Sequence, residues 1–329
     1  MMNLVRTPQT PPQIQPITDG GQRPLWSVMI PTYNCIEYLE RTLNSVLKQA
    51  LSSDLMQIEV VDDYSTDGDV EKIVQELGDG RVSFYRQPEN RGSLRNFETC
   101  INRARGERVH ILHGDDFILP GFYKEIDSLF SENPQVGAAF TGFKYVTEFD
   151  MDLWPGKKLT DKKGVLDNIF EILAQGQVIQ PPSIVVKRSV YEDLGSFYAV
   201  HYGEDWNMWM RIAAKYPMAY SPELLSRYRL HNNNITTRSL VSGKNITDTL
   251  QVIDLIQEMI PVDKRSALRK KAIRSYSHYF AKISDSLHNF NPDAALLQVK
   301  EAIKMDVNVY TIYHYAKILF KRAIKYKMV

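Results

Sequence analysis

A repeated cycle of short apolar run, polar loop and amphipathic segment constrains the first half of this chain to an α/β structure. Residues 25–30 form an apolar run stopped by Pro31, which suits a buried strand that ends in a loop. Residues 36–49 then place Ile36, Leu39, Leu43, Val46 and Leu47 on one helical face. The strand at 57–61 (QIEVV) runs directly into Asp62 and Asp63, and Ser65, Thr66 and Asp67 supply turn and capping chemistry before a helix through Val70, Ile73, Val74 and Leu77. The cycle repeats with a strand at 82–85, a helix along Leu94, Phe97, Ile101 and Ala104, and a strand at 109–112 that ends in His113-Gly114-Asp115-Asp116. Such alternation predicts a Rossmann-like, mainly parallel sheet flanked by helices. In open sheets of this kind ligands gather at the carboxyl ends of the strands, where both acidic pairs fall.

Beyond Pro120 the alternation loosens. Strands are expected at 136–146 and 183–187 and a helix at 165–173, while Gly203-Glu204-Asp205 precedes a helix carrying Trp206, Trp209 and Ile212. From about Ser242 the pattern is helical. The expected organisation is a flexible tail at 1–24, rich in Pro, Gln and Thr, a catalytic domain at 25–240 and a helical domain at 241–329. The helical domain is assigned to acceptor binding, self-association or docking on a membrane surface.

The bulk numbers exclude several classes. A net charge of +1 gives no reason to expect nucleic acid, and two cysteines, Cys35 and Cys100, are too few for a disulfide framework. No run of eighteen apolar residues and no apolar leader occurs, so the expected location is the cytoplasm, with the inner face of the membrane as the alternative. The last fifteen residues, 315–329, are basic and amphipathic, a pattern shared by helices that dock on anionic lipid and by packed terminal helices with a solvated face.

Buried carboxylates are costly unless they are paired, hydrogen-bonded or bound to metal. Asp115-Asp116 at a strand end offers oxygen ligands of the type favoured by Mg²⁺ and Mn²⁺, with helix capping as the alternative. Five segments taken together are more specific: WSVMIPTYN, EVVDDYSTD, ENRGSLRNFE, HILHGDDFILPG and GEDWNMWMRIA. In this order and spacing they resemble glycosyltransferase family 2, the inverting family with the nucleotide-sugar-binding GT-A fold. The resemblance covers about 25–237.

The resemblance implies a donor site in which Pro31, Thr32 and Tyr33 line the nucleotide pocket and Asp63 accepts from the base imide. Asp62 either joins that site or fixes the loop. Arg95 is placed near the nucleotide or the acidic pair, Asp115 at the ribose and Asp116 on a Mn²⁺ or Mg²⁺ that bridges the phosphates, with His231 near the diphosphate or the metal. Asp205 matches the catalytic base, and Glu204 positions the acceptor or the base loop. Trp206 is a candidate acceptor platform, although an aromatic pair at helical spacing, here Trp206 and Trp209, is also a common core pattern. One departure is visible. The family's Asp-x-Asp appears here as Gly114-Asp115-Asp116, without its first carboxylate.

The implied reaction moves one sugar from a nucleotide-diphosphate sugar, by family habit a UDP-sugar, to a glycan, lipid-linked or protein acceptor. The Gln-x-x-Arg-Trp motif of polymerising synthases does not occur. A nucleotidyltransferase would need a glycine-rich basic loop where Pro31-Thr-Tyr-Asn-Cys35 stands. A receiver-type domain would not explain Gly203-Glu-Asp-Trp206. An inactive nucleotide-sugar-binding or scaffold protein on the same fold is the alternative that the motifs leave open.

Overall fold

The computed structural model describes residues 5–231 and 234–324. These fall into two units, the first made of Met1–Ile169, Val178–Ala199 and Arg211–Leu230, the second of Phe170–Gln177, Val200–Met210 and His231–Val329. The division differs from the expected one at 240: the helical unit starts at His231 and takes in two short segments from earlier in the chain.

The first unit is built on one sheet of ten strands among the described residues. β1 (Trp26–Thr32), β2 (Met56–Asp62), β3 (Ser83–Arg86) and β4 (Arg108–Ile111) pair in parallel in the order β3-β2-β1-β4. β1 is buried at every residue, as a parallel strand covered on both faces must be. The sheet continues through β9 (Ile184–Lys187), antiparallel to β4, and then β6 (Ala138–Val146) and β10 (Met218–Arg229), parallel to each other. β5 (Phe117–Ile118), β7 (Asp152–Pro155) and β8 (Gly164–Val165) are short additions. Strands β1, β2, β3, β4, β6 and β10 therefore share one direction, with β9 reversed among them.

α1 (Ile36–Leu47), α2 (Val70–Gly78) and α3 (Ser93–Arg103) follow their strands as expected, and α4 (Phe122–Glu132), which was not among the expected helices, follows β5. Leu39, Leu43 and Val46 of α1, Val70 and Val74 of α2, and Ile126 and Leu129 of α4 join Val28, Ile30, Ile58 and Val60 in one core. Register sets the working edge. Thr32 stands opposite Asp62, and Asp62 opposite Arg86, so the loops after β1, β2 and β3 leave the sheet side by side.

Two elements depart from the expectation. The helix expected at 165–173 is a strand residue pair followed by the short α5 (Ile169–Leu173), because the chain pairs with β10 before it coils. β10 itself was hidden by Pro222, which the strand absorbs at register shifts between Ser221 and Ser226.

The segment before β1, expected as a flexible tail, has no helix or strand from Val5 to Pro24 yet lies against the first unit. Ser196 N–H donates to Pro12 O and Ala199 N–H to Pro8 O, each at 2.8 Å, and Ile14 is fully buried. Proline-rich chain has little backbone freedom left to lose, so a few carbonyl contacts and one apolar anchor hold it. Composition weighs polarity and misses that term.

The second unit is helical. It holds α5 from Phe170, the start of α7 (Glu204–Ala213), α8 (Ile235–Ser242), α9 (Lys244–Gln257), α10 (Val262–His288), α11 (Pro292–Met305) and α12 (Val309–Ala323); α6 (Arg188–Leu194) belongs to the first. Leu240, Leu287, Ala295, Val299 and Ile318 form one core and Ile246, Phe280, Ala281 and Ala302 another. Asn245 and Gln298, both buried, exchange amide hydrogen bonds of 3.0 and 2.8 Å. No helix among the described residues is long and apolar enough to cross a membrane.

Ile14→Ala should destabilise the protein by about 2–5 kcal/mol, the usual range for a buried isoleucine. Chemical denaturation measures it, and an unchanged midpoint would show the segment to be loosely held.

Candidate functional site

The loop after β4 carries the densest set of ligand-type side chains. His113, Asp115 and Asp116 each offer one atom within 4.8 Å of the others. Asp116 is buried; its Oδ1 accepts from Arg229 N at 2.9 Å, and its Oδ2 has no hydrogen-bond partner among the described residues. Burial, reinforced by the Asp115 charge, pushes the Asp116 carboxyl well above its usual range. A buried carboxylate oxygen without a donor is costly, and a cation removes that cost.

The loop is held from behind. Thr42 of α1 donates through Oγ1 to Asp116 O at 2.7 Å and Gly114 O at 3.0 Å. Arg229, at the end of β10, donates to Asp115 O at 2.7 Å and Glu148 O at 2.9 Å, pairs with Asp150 at 2.6 Å, and lies over the Tyr38 ring. Its guanidinium is spent on the loop's backbone and on Asp150, and only its backbone N–H reaches Asp116. His113 stacks on Phe97 with centroids 5.2 Å apart, and burial lowers its pKa, which favours the neutral imidazole that ligates metals.

Gly114 explains the missing carboxylate. A Cβ there would lie 3.0 Å from Cys35 Sγ, 3.1 Å from Thr32 Oγ1 and 3.3 Å from Pro31 O. The position at which the Asp-x-Asp pattern carries its first Asp is closed by β1 and the residues after it. Burial keeps the Cys35 thiol protonated, so it acts as packing.

The loops after β1 and β2 are joined. Asn34, at φ 48°, accepts from Thr66 N at 2.8 Å, and its own N–H donates to Ser65 Oγ at 3.0 Å. Thr32 O accepts from Asp63 N at 2.8 Å, and Pro31 O from Gly114 N at 3.0 Å. Tyr33 and Tyr64 stand exposed on these loops. Asp62 fixes its own turn: fully buried, it accepts from Ser65 and pairs with Arg86 at 2.8 Å.

Asp63 accepts from Asn90 Nδ2, Arg91 N and Gly92 N, each at 2.8 Å, which ties the β3–α3 loop to the end of β2. Gly92 meets this demand at φ 87°, a conformation suited to glycine. Burial nonetheless raises the Asp63 pKa. The cation beside this loop is Arg6, which bonds to Asn90 through its backbone O at 3.2 Å and through Oδ1. Arg95 points elsewhere, to Val5 O at 3.0 Å and Glu98 at 2.7 Å.

In the second unit, the start of α7 holds Glu204 and Asp205, both buried. Asp205 accepts from Trp206 N at 2.7 Å and from Gln177 Nε2, and burial pushes its pKa up to about 6. Glu204 is raised well above its range by burial and by the Asp205 charge, so Asp205 is the member of the pair that ionises first. Trp206 is buried, with Nε1–H donating to Leu173 O at 2.7 Å and its ring 4.9 Å from that of Tyr276. It presents no open face, and its backbone N–H holds the Asp205 carboxyl. Trp209 is likewise buried.

His231 belongs to the second unit and lies outside the His113–Asp115–Asp116 group; its carbonyl accepts from Thr237 Oγ1 at 3.0 Å. Asn232 and Asn233 of the same motif lie outside the described residues.

Residues 27–195, just over half the chain, match the model of glycosyl transferase family 2. The chain belongs to glycosyltransferase family 2. An uncharacterized protein of Mycobacterium tuberculosis is 28% identical over 74% of this chain and 80% of its own length. The crystal structure of S. aureus TarS 1-349 superposes with a TM-score of 0.61 at 15% identity over 92% of each chain, and TarS has also been solved with UDP-GlcNAc. A mannosyltransferase from Pyrobaculum calidifontis, solved with GDP-Man and Mn²⁺, superposes with a TM-score of 0.57 at 19% identity over 97% of this chain and 85% of its own. The fold is GT-A, and the family's role is glycosyl transfer.

Sequence reasoning did not single out His113, Arg6, Arg229 or Gln177. His113 had a signal in its residue type, one position from the acidic pair. Arg6, Arg229 and Gln177 had none, since each reaches its partner across a long stretch of chain.

Gly114→Ala should lower stability by about 1–3 kcal/mol through overpacking, and Cys35→Ala should recover part of that loss. Thermal unfolding of the two single variants and the pair measures the coupling; additive effects would contradict the packing account.

Proposed function

We propose that the chain is an inverting, metal-dependent glycosyltransferase that transfers one sugar, hexosyl or N-acetylhexosaminyl, from a UDP-sugar to an acceptor hydroxyl in glycan assembly. The observation that carries this reading is the unpartnered, buried Oδ2 of Asp116 within the His113–Asp115–Asp116 group, at a strand end of a family 2 fold. Neighbours solved with UDP-GlcNAc and with GDP-Man and Mn²⁺ support a nucleotide-diphosphate sugar as donor.

His113, Asp115 and Asp116 are the residues that would hold the cation, and a set of one imidazole and two carboxylates suits Mn²⁺ better than Mg²⁺. A divalent ion bound there supplies positive charge where the departing diphosphate gathers negative charge. Asp115 is also the residue the family pattern directs to the ribose. Pro31, Thr32 and Tyr33 are assigned to the nucleotide, and His231 to the diphosphate. Asp63 has one lone pair left beyond its three donors, enough to accept from a base imide.

Asp205 is assigned as general base. A sugar hydroxyl is a weak nucleophile, and a carboxylate with a pKa of about 6 is mostly ionised at neutral pH while still basic enough to take the proton. The hydroxyl attacks the anomeric carbon as its proton passes to Asp205, and the bond to the diphosphate oxygen breaks on the opposite face. One displacement inverts the centre.

UDP release with a panel of acceptors tests the base. Asp205→Asn should slow transfer by about 10²–10⁴-fold with donor binding unchanged. In the wild type the rate should fall as pH drops through about 6, because protonation removes the base. Near-normal transfer by the variant would end the assignment. Thermal shifts with UDP, dTDP, GDP and ADP, each with and without Mn²⁺, test the donor. Stabilisation by UDP that needs Mn²⁺ and is lost in Asp116→Ala is expected, about 2.7 kcal/mol at a hundredfold excess over the dissociation constant.

A further inference from the structure

Every exposed residue of α12 is apolar or aromatic. Val309, Ile312, Tyr313, Leu319 and Phe320 recur at three- and four-residue steps, and Ile324 continues the series, so they form one stripe along the helix. Val309 is 86% exposed and Phe320 63%. The polar side chains face inward instead. Thr311 and His314 are buried, Lys317 and Lys321 bond to Asp285 of α10 at 2.8 and 3.2 Å, and Arg322 donates to Pro292 O at 2.8 Å and Asp293 at 2.9 Å. This reverses the usual surface helix, whose apolar face is buried. The basic solvated face expected for a packed terminal helix is not what the described residues present. Val307 extends the stripe at one end, and Phe290, in the α10–α11 turn that Arg322 holds, flanks the other.

Charge selects the occupant. Residues 309–329 contain five basic residues, Lys317, Lys321, Arg322, Lys325 and Lys327, and no acidic one. Asp285 and Asp293 offset two of these charges, leaving 5 − 2 = 3 positive. A two-fold contact would bring two copies of this positively charged segment together, which costs energy. An anionic bilayer attracts it, takes the apolar stripe into the acyl boundary and accommodates tyrosines at headgroup depth.

We propose that α12 is a membrane-contact helix that lays its exposed apolar stripe into the surface of an anionic lipid bilayer. The proposal stands apart from the donor chemistry, so its test uses no sugar nucleotide.

Co-sedimentation of the full-length protein with vesicles of phosphatidylcholine and phosphatidylglycerol, and with phosphatidylcholine alone, is the experiment. Wild-type protein should bind the anionic vesicles, more weakly as salt rises. Ile312→Glu combined with Phe320→Glu should cut the partition coefficient by about tenfold or more, since it removes apolar burial and adds like charge to an anionic surface. Both positions are exposed, so an unchanged melting temperature certifies the fold. Absence of wild-type binding to anionic vesicles, or equal binding by the double variant, overturns the proposal. So does a dimer, seen by analytical ultracentrifugation, that the double variant dissolves while vesicles bind neither protein.

Discussion

The first unit is organised around a carboxylate that is held at one oxygen and left without a donor at the other. Asp116 is buried in the loop that follows β4, a strand parallel to β1. Two side chains from distant parts of the chain, Thr42 and Arg229, are used to fix the surrounding backbone instead of the carboxylate. The loop is thereby rigid while Oδ2 keeps its acceptor capacity. A protein that needed only a capped turn would have satisfied both oxygens, as it does at Asp62. The contrast between these two buried aspartates is that Asp62 has both oxygens satisfied, whereas Asp116 keeps one oxygen with acceptor capacity to spare.

The same economy governs Gly114 and His113. Closing position 114 against Cys35 and Thr32 removes space for a third carboxylate, and the neighbouring imidazole offers a ligand-type atom of different hardness. In the second unit, Glu204 and Asp205 are adjacent buried carboxyls that burial makes harder to ionise. The Trp206 amide and Gln177 lower the cost of ionising Asp205, while burial and the Asp205 charge push the Glu204 carboxyl well above its usual range. Positioning groups outnumber candidate reacting groups in both units, which is the expectation for a site whose chemistry is electrostatic.

Much of this was legible in the sequence. The βαβ cycle, its helices and the strand ends carrying Asp62–Asp63 and Asp115–Asp116 are encoded locally, in periodicity and turn residues. What stayed hidden is non-local. β10 contains a proline that only its bulged pairing accommodates. The segment around Ile14 was too polar to look folded, yet its prolines make ordering inexpensive. Arg95 was expected near the nucleotide, but the cation beside Asp63 is Arg6, from that same segment. Trp206 satisfied both the core and the platform pattern, and only burial separates them. The inward turn of the basic residues on α12 likewise depends on Asp285 and Asp293, which no pattern within α12 reveals.

The central claim is that His113 and Asp116 share a divalent ion in the presence of nucleotide. Pulsed electron paramagnetic resonance of Mn²⁺ added to the protein with UDP tests it most directly. The account predicts a nitrogen coupling from a ligating imidazole that disappears in His113→Gln and an ion that is lost in Asp116→Ala. A spectrum without nitrogen coupling, or one that neither substitution changes, would contradict it.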